Sequence, residues 1–226
     1  MLGVTEVVAD DPADQLLAEY GREIGAELTY AKTCVGVYLG EPGVTVPDPY
    51  FGGEGPERTG CVLCGRCMVG CPNNAKNTLV KNYLWFAERA GAEVMPEREV
   101  VDIRPAGAPD GSEGYEVTTE RPGAWLRRDR RTFTARGVVV AAGALGTNKL
   151  LARCKLAGSL PRVSDRLGDS VRTNSEAILA VTLPEDSIDR VKRVAITSSV
   201  YPDPDTHIET VTYGDAGDSV SLLSTR

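Results

Sequence analysis

The sequence predicts an α/β unit joined to part of an antiparallel α+β unit. Three observations lead to that class. Between Arg98 and Ala142, the runs "REVVDIRP", "GYEVTTE" and "RTFTARGVVVAAG" are β-like and separated by turns rich in glycine, proline and aspartate, the pattern of a three-stranded meander. The last run ends in "GVVVAAG", apolar on both faces, as a strand reads in the middle of a helix-covered parallel sheet. After Asn174, "EAILAVTLP", "VKRVAITSSVYP" and "HIETVTYG" are strand-like with short polar connections, which suits an antiparallel sheet of a second domain.

The helices announce themselves by their ends. In "DDPADQLLAEYGREIG", Asp11 can cap, Pro12 fits the first helical position, and Leu16, Leu17, Tyr20 and Ile24 recur before Gly25. Residues 40–60 are dense in glycine and proline and read as a loop. "NTLVKNYLWFAERAGA" then carries a stripe of Leu79, Tyr83, Phe86, Ala87 and Ala90, with Gly91 as its stop. "ALGTNKLLARCKL" follows the buried strand as a helix with Leu145, Lys149 and Ala152 in spacing.

Composition narrows the function. The chain has 226 residues, 42% hydrophobic and 25% charged, ordinary values for a globular protein with one good core or two modest ones. A net charge of −7 speaks against a nucleic-acid footprint, which needs concentrated basic charge. The one basic run, "LRRDRR" at 126–131, reads as a solvated hairpin turn. No stretch approaches the ~20 apolar residues that span a bilayer, and the first residues lack the form of a secretory signal. Thiols packed this closely suit a reducing cytoplasm.

The densest chemistry lies in "CVLCGRCMVGCPNNAKNT". Cys61, Cys64, Cys67 and Cys71 before Pro72 match the C-x2-C-x2-C-x3-C-P run of iron–sulfur ferredoxins. Gly60, Gly65, Gly70 and Pro72 favour a loop over a continuous helix. Three readings stay open: a 4Fe-4S cluster, a four-thiolate zinc site, or unliganded structural thiols. Only one such run exists, so a single cluster would need Cys71 itself or a remote thiol, Cys34 or Cys154, as its fourth ligand. Convergence of at least three of the four sulfurs is the expectation. A ferredoxin-type electron-transfer module is accordingly the alternative reading of the whole chain.

In order along the chain, "GGEGPERTGC…GCPNNAKNTLVKNYL", "GVVVAAGALGTNKLL" and "LPRVSDRLGDSVRTNSEA" resemble the glucose–methanol–choline (GMC) oxidoreductases, in their cholesterol-oxidase-like branch. The resemblance implies part of a FAD-binding Rossmann-like domain with part of an antiparallel substrate domain. It implies a flavoenzyme that takes hydride from an alcohol, typically a sterol, as its small-molecule partner. By residue, it places Val100 against adenine through backbone atoms, Ala142 and Gly143 where the flavin approaches, and Asn174, with Glu176, at the passage into the substrate sheet. The helix beginning near Ala144 would turn its partial positive end toward the flavin or its phosphates.

The expected division is 1–75 as a cap and cysteine-rich loop region, 76–172 as part of the FAD-binding domain and 173–226 as part of the substrate domain. Two family features do not occur in this sequence. There is no G-x-G-x-x-G to cradle a pyrophosphate, and the one histidine, His207 in "PDTHIE", lies outside any matching catalytic motif. The chain therefore reads as an internal piece that lacks the N- and C-terminal parts of the same enzyme.

Overall fold

Asp11 does open a helix, and the helix it opens ties distant parts of the chain together. In the computed structural model, which describes residues 2–7, 10–179 and 192–214, the elements in chain order are β1 (Thr5–Glu6), α1 (Pro12–Glu23), β2 (Ala31–Lys32), β3 (Cys34–Val35), β4 (Thr45–Val46), β5 (Arg58–Thr59), α2 (Tyr83–Arg89), β6 (Glu99–Pro105), β7 (Tyr115–Glu120), β8 (Arg131–Ala135), α3 (Gly143–Leu156), β9 (Ile196–Asp203) and β10 (Thr206–Val211). They fall into two units, Met1–Glu93 with Leu179–Arg226, and Val94–Ile178.

In the first unit, Asp11 accepts the N–H groups of Ala13 and Asp14, and Asp14 accepts the N–H of Asp11, a reciprocal capping box. The buried face of α1 is Asp14, Leu17 and Gly21. The stripe read from the sequence, Leu16, Tyr20 and Ile24, is 58%, 42% and 40% exposed, so only Leu17 of that stripe turns inward. Two contacts rotate the helix this way. At Gly21 a Cβ would lie 3.3 Å from Val200 Cγ2, so glycine brings α1 close to β9. Leu17 and Val200 then share one core cluster with Ala26, and each buried aliphatic side chain contributes roughly 1.5–3 kcal/mol.

The other contact is polar. Asp14 is 1% exposed and accepts Thr197 Oγ1 and Ser198 Oγ, each at 2.5 Å, and Lys32 Nζ at 2.8 Å. Beside it, Arg193 Nη1 donates to Asp11 Oδ1 at 3.0 Å. Burial alone would raise the Asp14 carboxyl, but the hydrogen bonds from Lys32, Ser198 and Thr197 hold it below the usual carboxylate range.

The sheet of this unit runs β10-β9-β2, antiparallel throughout. The β9–β10 hairpin is the one read from "VKRVAITSSVYP" and "HIETVTYG". β2, from the opening part of the chain, joins it at Ala31↔Ser199, a pairing that two residues of strand are too short to signal by period. "EAILAVTLP" lies largely outside the described residues, and 176–179 are not strand. The 40–60 loop is clipped by the short β4–β5 ladder. The helix expected over 77–91 is broken by Asn82, fully buried, whose side-chain Oδ1 accepts the N–H of Tyr83 at 2.6 Å. A 3₁₀ turn, Leu79–Lys81, precedes it and α2 follows, with Gly91 at φ +94° as the predicted stop.

In the second unit, β6-β7-β8 form the expected antiparallel meander. The predicted continuation does not form: β8 ends at Ala135, and 137–142 join no ladder and have no regular structure. Val139 is 91% exposed, so "GVVVAAG" is not the most buried strand. The physical reason is pairing. A strand apolar on both faces is stable between neighbours that take its N–H and C=O groups, and among the described residues none ladders with it. α3 packs on β6 with Cys154 as its buried residue, while Leu145 of the expected spacing is 76% exposed. Cys154 is fully buried and its sulfur accepts the N–H of Ile103 at 3.3 Å.

Asp14→Asn is expected to destabilise the first unit by about 1.5–3 kcal/mol at neutral pH, the range for hydrogen bonds to a charged group. Because the folded carboxyl is lowered, its contribution is present above the ordinary aspartate value and vanishes as pH falls through the lowered one. Urea denaturation of both proteins from neutral to acid pH should therefore show the difference shrinking; a constant gap would contradict the assignment.

Candidate functional site

A cleft of ≈630 Å³ opens in the second unit where three pieces meet: strand β6 with Val100 and Ile103, the unladdered run Val138–Ala142, and the α3 face carrying Gly146, Lys149 and Leu150. Val117 of β7 closes the apolar floor, and Arg98, Glu99 and Arg153 add charge. β6 is an edge strand of its sheet, so one side of its backbone is not committed to a ladder. The ladder is also irregular between Val100 and Asp102, a bulge that turns the strand at the cleft.

Two residues named from the sequence, Val100 and Ala142, thus line the same cavity although 42 positions separate them. Gly143 is the next residue, with φ +71°, a left-handed conformation that glycine adopts without strain. A Cβ there would meet nothing within 4 Å, so the backbone turn, not crowding, asks for glycine. Ala142 is the N-cap of α3 and offers no side-chain cap. Its own N–H goes to Thr147 Oγ1 at 3.1 Å, which leaves the first-turn N–H groups of α3 without a side-chain acceptor.

Asn174 is not brought to this cleft. It lies in an exposed segment without regular structure, and its amide donates to Glu176 Oε2 at 3.2 Å. Sequence reasoning missed the cations of the cleft, Arg98, Lys149 and Arg153. Lys149 and Arg153 are four residues apart on a helix, a spacing that puts both on one face. Arg98 is anchored by ion pairing with Asp129, and hydrogen bonds from Arg131 and Arg98 hold the Asp129 carboxyl low. Chemically, the cleft can take a flat, mostly apolar group between β6 and 138–142, with an anionic part toward α3.

The cysteine run belongs to the first unit and behaves differently from its motif. Cys61 lies in a core cluster with Val7, Val37, Ala75 and Val194, and Cys67 and Cys71 pack against it. No disulfide forms, and among the described residues no three His, Cys, Asp or Glu side chains are grouped to hold a metal ion. The expected convergence of three sulfurs, and with it the iron–sulfur and zinc assignment of Cys61, Cys64, Cys67 and Cys71, is not supported. The sulfurs have separate partners: Leu63 N–H meets Cys61 Sγ at 3.4 Å, Asn73 Nδ2 meets Cys64 at 3.6 Å, and Ala75 N–H meets Cys71 at 3.4 Å. Gly65 and Gly70, both at positive φ, bracket the 3₁₀ turn that carries Cys67 and aim the chain differently on either side. Cys34 is exposed on β3, and Cys154 is taken by Ile103.

Arg58 organises the same loop region. It is 1% exposed and donates to Asn77 Oδ1 at 2.7 Å, to the carbonyls of Pro56 and Glu57, and to Lys81 O at 2.9 Å.

Burial pushes the Cys61 and Cys67 thiols up. At Cys71 burial acts the same way, but N–H groups of Lys76, Asn73 and Ala75 outweigh it and lower the thiol. Thiolate, not thiol, is alkylated, so iodoacetamide labelling followed by peptide mapping should modify Cys71 at lower pH than Cys61 or Cys67. Labelling of Cys61 first would contradict this environment.

Residues 56–171 match the family model described as GMC oxidoreductase. The chain is 49% identical over 230 residues to a cholesterol oxidase of Acinetobacter baumannii, covering 100% of this chain and 41% of that protein. It is 51% identical over 233 residues to a cholesterol oxidase of Mycobacterium tuberculosis (strain CDC 1551 / Oshkosh), covering 100% of this chain and 39% of that one. An uncharacterized GMC-type oxidoreductase of the same strain is 35% identical over 130 residues, 56% of this chain and 18% of that protein. No solved structure matches at a significant level. The chain spans about 40% of the length of the two cholesterol oxidases. The matched family segment contains β6 to α3 and every residue that lines the cleft: the chain belongs to the GMC oxidoreductase family.

Proposed function

We propose that the chain is part of a flavin-dependent oxidoreductase that oxidises the CH–OH group of an alcohol, with a sterol as the substrate class, and that its cleft holds the adenine side of FAD. The observation that carries this reading is the meeting of Val100 and Ala142 in one apolar cleft flanked by cations and by the N-terminus of α3. The sterol class rests on the relatives at 49% and 51% identity, which are cholesterol oxidases. When bound, FAD supplies the acceptor for a hydride leaving the alcohol carbon.

The chain's own residues do the holding. Backbone N–H and C=O groups at Val100, on the edge strand, can pair with a purine edge without help from any side chain. The small residues Ala141, Ala142 and Gly143 let a planar ring lie close to the backbone. Lys149 and Arg153, with the first turn of α3, offset negative charge on a phosphate. Val138, Val140 and Ile103 exclude water from one face. Asn174 is assigned here from the resemblance alone; no feature of the cleft supports it. The division at 75/76 and 172/173 into cap, FAD-binding and substrate parts is likewise proposed for the longer enzyme, and a cytoplasmic location is proposed with it. Among the described residues no helix is long and apolar enough to cross a membrane.

This sequence contains no G-x-G-x-x-G, so the chain alone is expected to bind FAD weakly, to emerge from gel filtration colourless and to leave sterols unoxidised. Equilibrium dialysis should still detect FAD and ADP. Lys149→Glu combined with Arg153→Glu should weaken both roughly 10- to 30-fold, taking up to about 1 kcal/mol for each exposed cation. Protein that stays stoichiometrically yellow through gel filtration would contradict the first expectation. Undiminished nucleotide binding by the double variant would contradict the placement.

A further inference from the structure

The β7–β8 hairpin ends in a tip that touches the cleft only through the Asp129–Arg98 pair and leaves its large apolar side chains unused. Its loop, "RPGAWLRRDR" at 121–130, is pinned at the base: Arg121 N–H donates to Arg128 O at 2.7 Å, and Ala124 N–H to Arg121 O at 3.4 Å. Gly123 turns the chain at φ +70°. What this scaffold presents to solvent is Trp125, 84% exposed, next to Leu126, 79% exposed. Burying such a pair is worth several kcal/mol, and adjacent large apolar groups left on a held loop mark a contact surface more often than scattered single ones do.

The charges around the pair are lopsided. From Glu120 to Arg131 there are five arginines against one glutamate and one aspartate, in a chain whose net charge is −7. Both acids are shared: Glu120 faces Arg128 at 3.5 Å and Arg130 at 3.7 Å, while Asp129 pairs with Arg98 and with Arg131 at 2.9 Å. Arg121 and Arg127 have no acidic partner among the described residues. The tip therefore combines an indole, an isobutyl group and surplus guanidinium groups on one short turn.

We propose that this hairpin tip docks on an anionic lipid surface, with Trp125 and Leu126 entering the interface and the arginines meeting lipid phosphates. Indole rings settle at the headgroup level, where one end is apolar and the other wet. Each arginine near an anionic leaflet adds attraction that decays within a Debye length. A single-stranded nucleic acid is the competing polyanion, but it asks for a track of cations and successive stacking faces. A turn with one aromatic beside a leucine offers neither. The proposal stands on the loop alone and does not depend on the flavin reading.

The chain has two tryptophans, and Trp85 donates its indole N–H to Glu54 O at 3.2 Å, so a Trp85→Phe background makes Trp125 the sole reporter. Vesicles of mixed phosphatidylcholine and phosphatidylglycerol should shift Trp125 emission to the blue and carry the protein down on sedimentation. Pure phosphatidylcholine vesicles, or the mixed ones at high salt, should do so far less. Arg127→Ala with Arg128→Ala should weaken partitioning roughly 30-fold. Trp125→Ala with Leu126→Ala, in the original background, should abolish most sedimentation while circular dichroism stays unchanged. No binding to the anionic vesicles at low salt would overturn the proposal. So would binding that both loop variants leave intact, or a Trp125 response to a single-stranded oligonucleotide but not to vesicles.

Discussion

The second unit depends on one closed contact, the Cys154 thiol against the backbone of β6. Cys154 is fully buried and Ile103 N–H points to its sulfur at 3.3 Å. Burial raises this thiol, so it stays protonated and acts as a small apolar side chain with a weak acceptor. That contact fixes how closely α3 approaches an edge strand, and the spacing defines the cleft. One helical turn earlier Leu150 lines the cavity, and one turn earlier again Gly146 does. A larger residue at 154 would push α3 away and open the cleft floor. The helix thus both walls the cleft and carries charge to it, since Lys149 and Arg153 ride on its flank.

The first unit is held by a different currency. Its hydrophobic clusters are small, three and five buried residues, and buried polar groups join them. Asp14, Thr197, Ser198 and Lys32 tie α1 to β9 and β2, and Asp11 with Arg193 ties the start of α1 to the segment that leads into β9. These partners are separated by as many as 184 positions, so the unit closes only after its two sequence segments meet. Removing Asp11 would leave the Arg193 charge buried without an ion-pair partner, which costs more than the pair contributes. The thiols of the cysteine run fit the same picture: Cys61 packs as core and Cys71 is oriented by backbone N–H groups.

What the sequence made legible was local. The Asp11 cap, the Gly91 stop and the three strands of the meander follow from end signals and period. The inward face of α1 was not legible, because Asp14 reads as solvent-facing until Thr197 and Ser198 arrive from the far end of the chain. "GVVVAAG" failed for the complementary reason: its composition describes a strand among neighbours, and among the described residues none ladders with it. The cysteine spacing matched a cluster-binding pattern, yet spacing does not fix where sulfurs point, and the turns at Leu63, Gly65 and Gly70, all at positive φ, send them to different donors. For the candidate site, Val100 and Ala142 were named from the resemblance and their meeting in one cleft came from the fold. The cations beside them went unread because lysine and arginine on a helix are usually solvated.

The proposed nucleotide-binding surface of this chain is made by β6, the run Val138–Ala142 and the start of α3. Hydrogen–deuterium exchange with and without saturating ADP tests it most directly, since these segments lack a complete ladder or cap and should exchange readily when free. The account predicts protection confined to peptides spanning 99–103 and 138–147, with the 61–75 loop unchanged. Protection centred on the cysteine loop, or none in the presence of bound ADP, would contradict it.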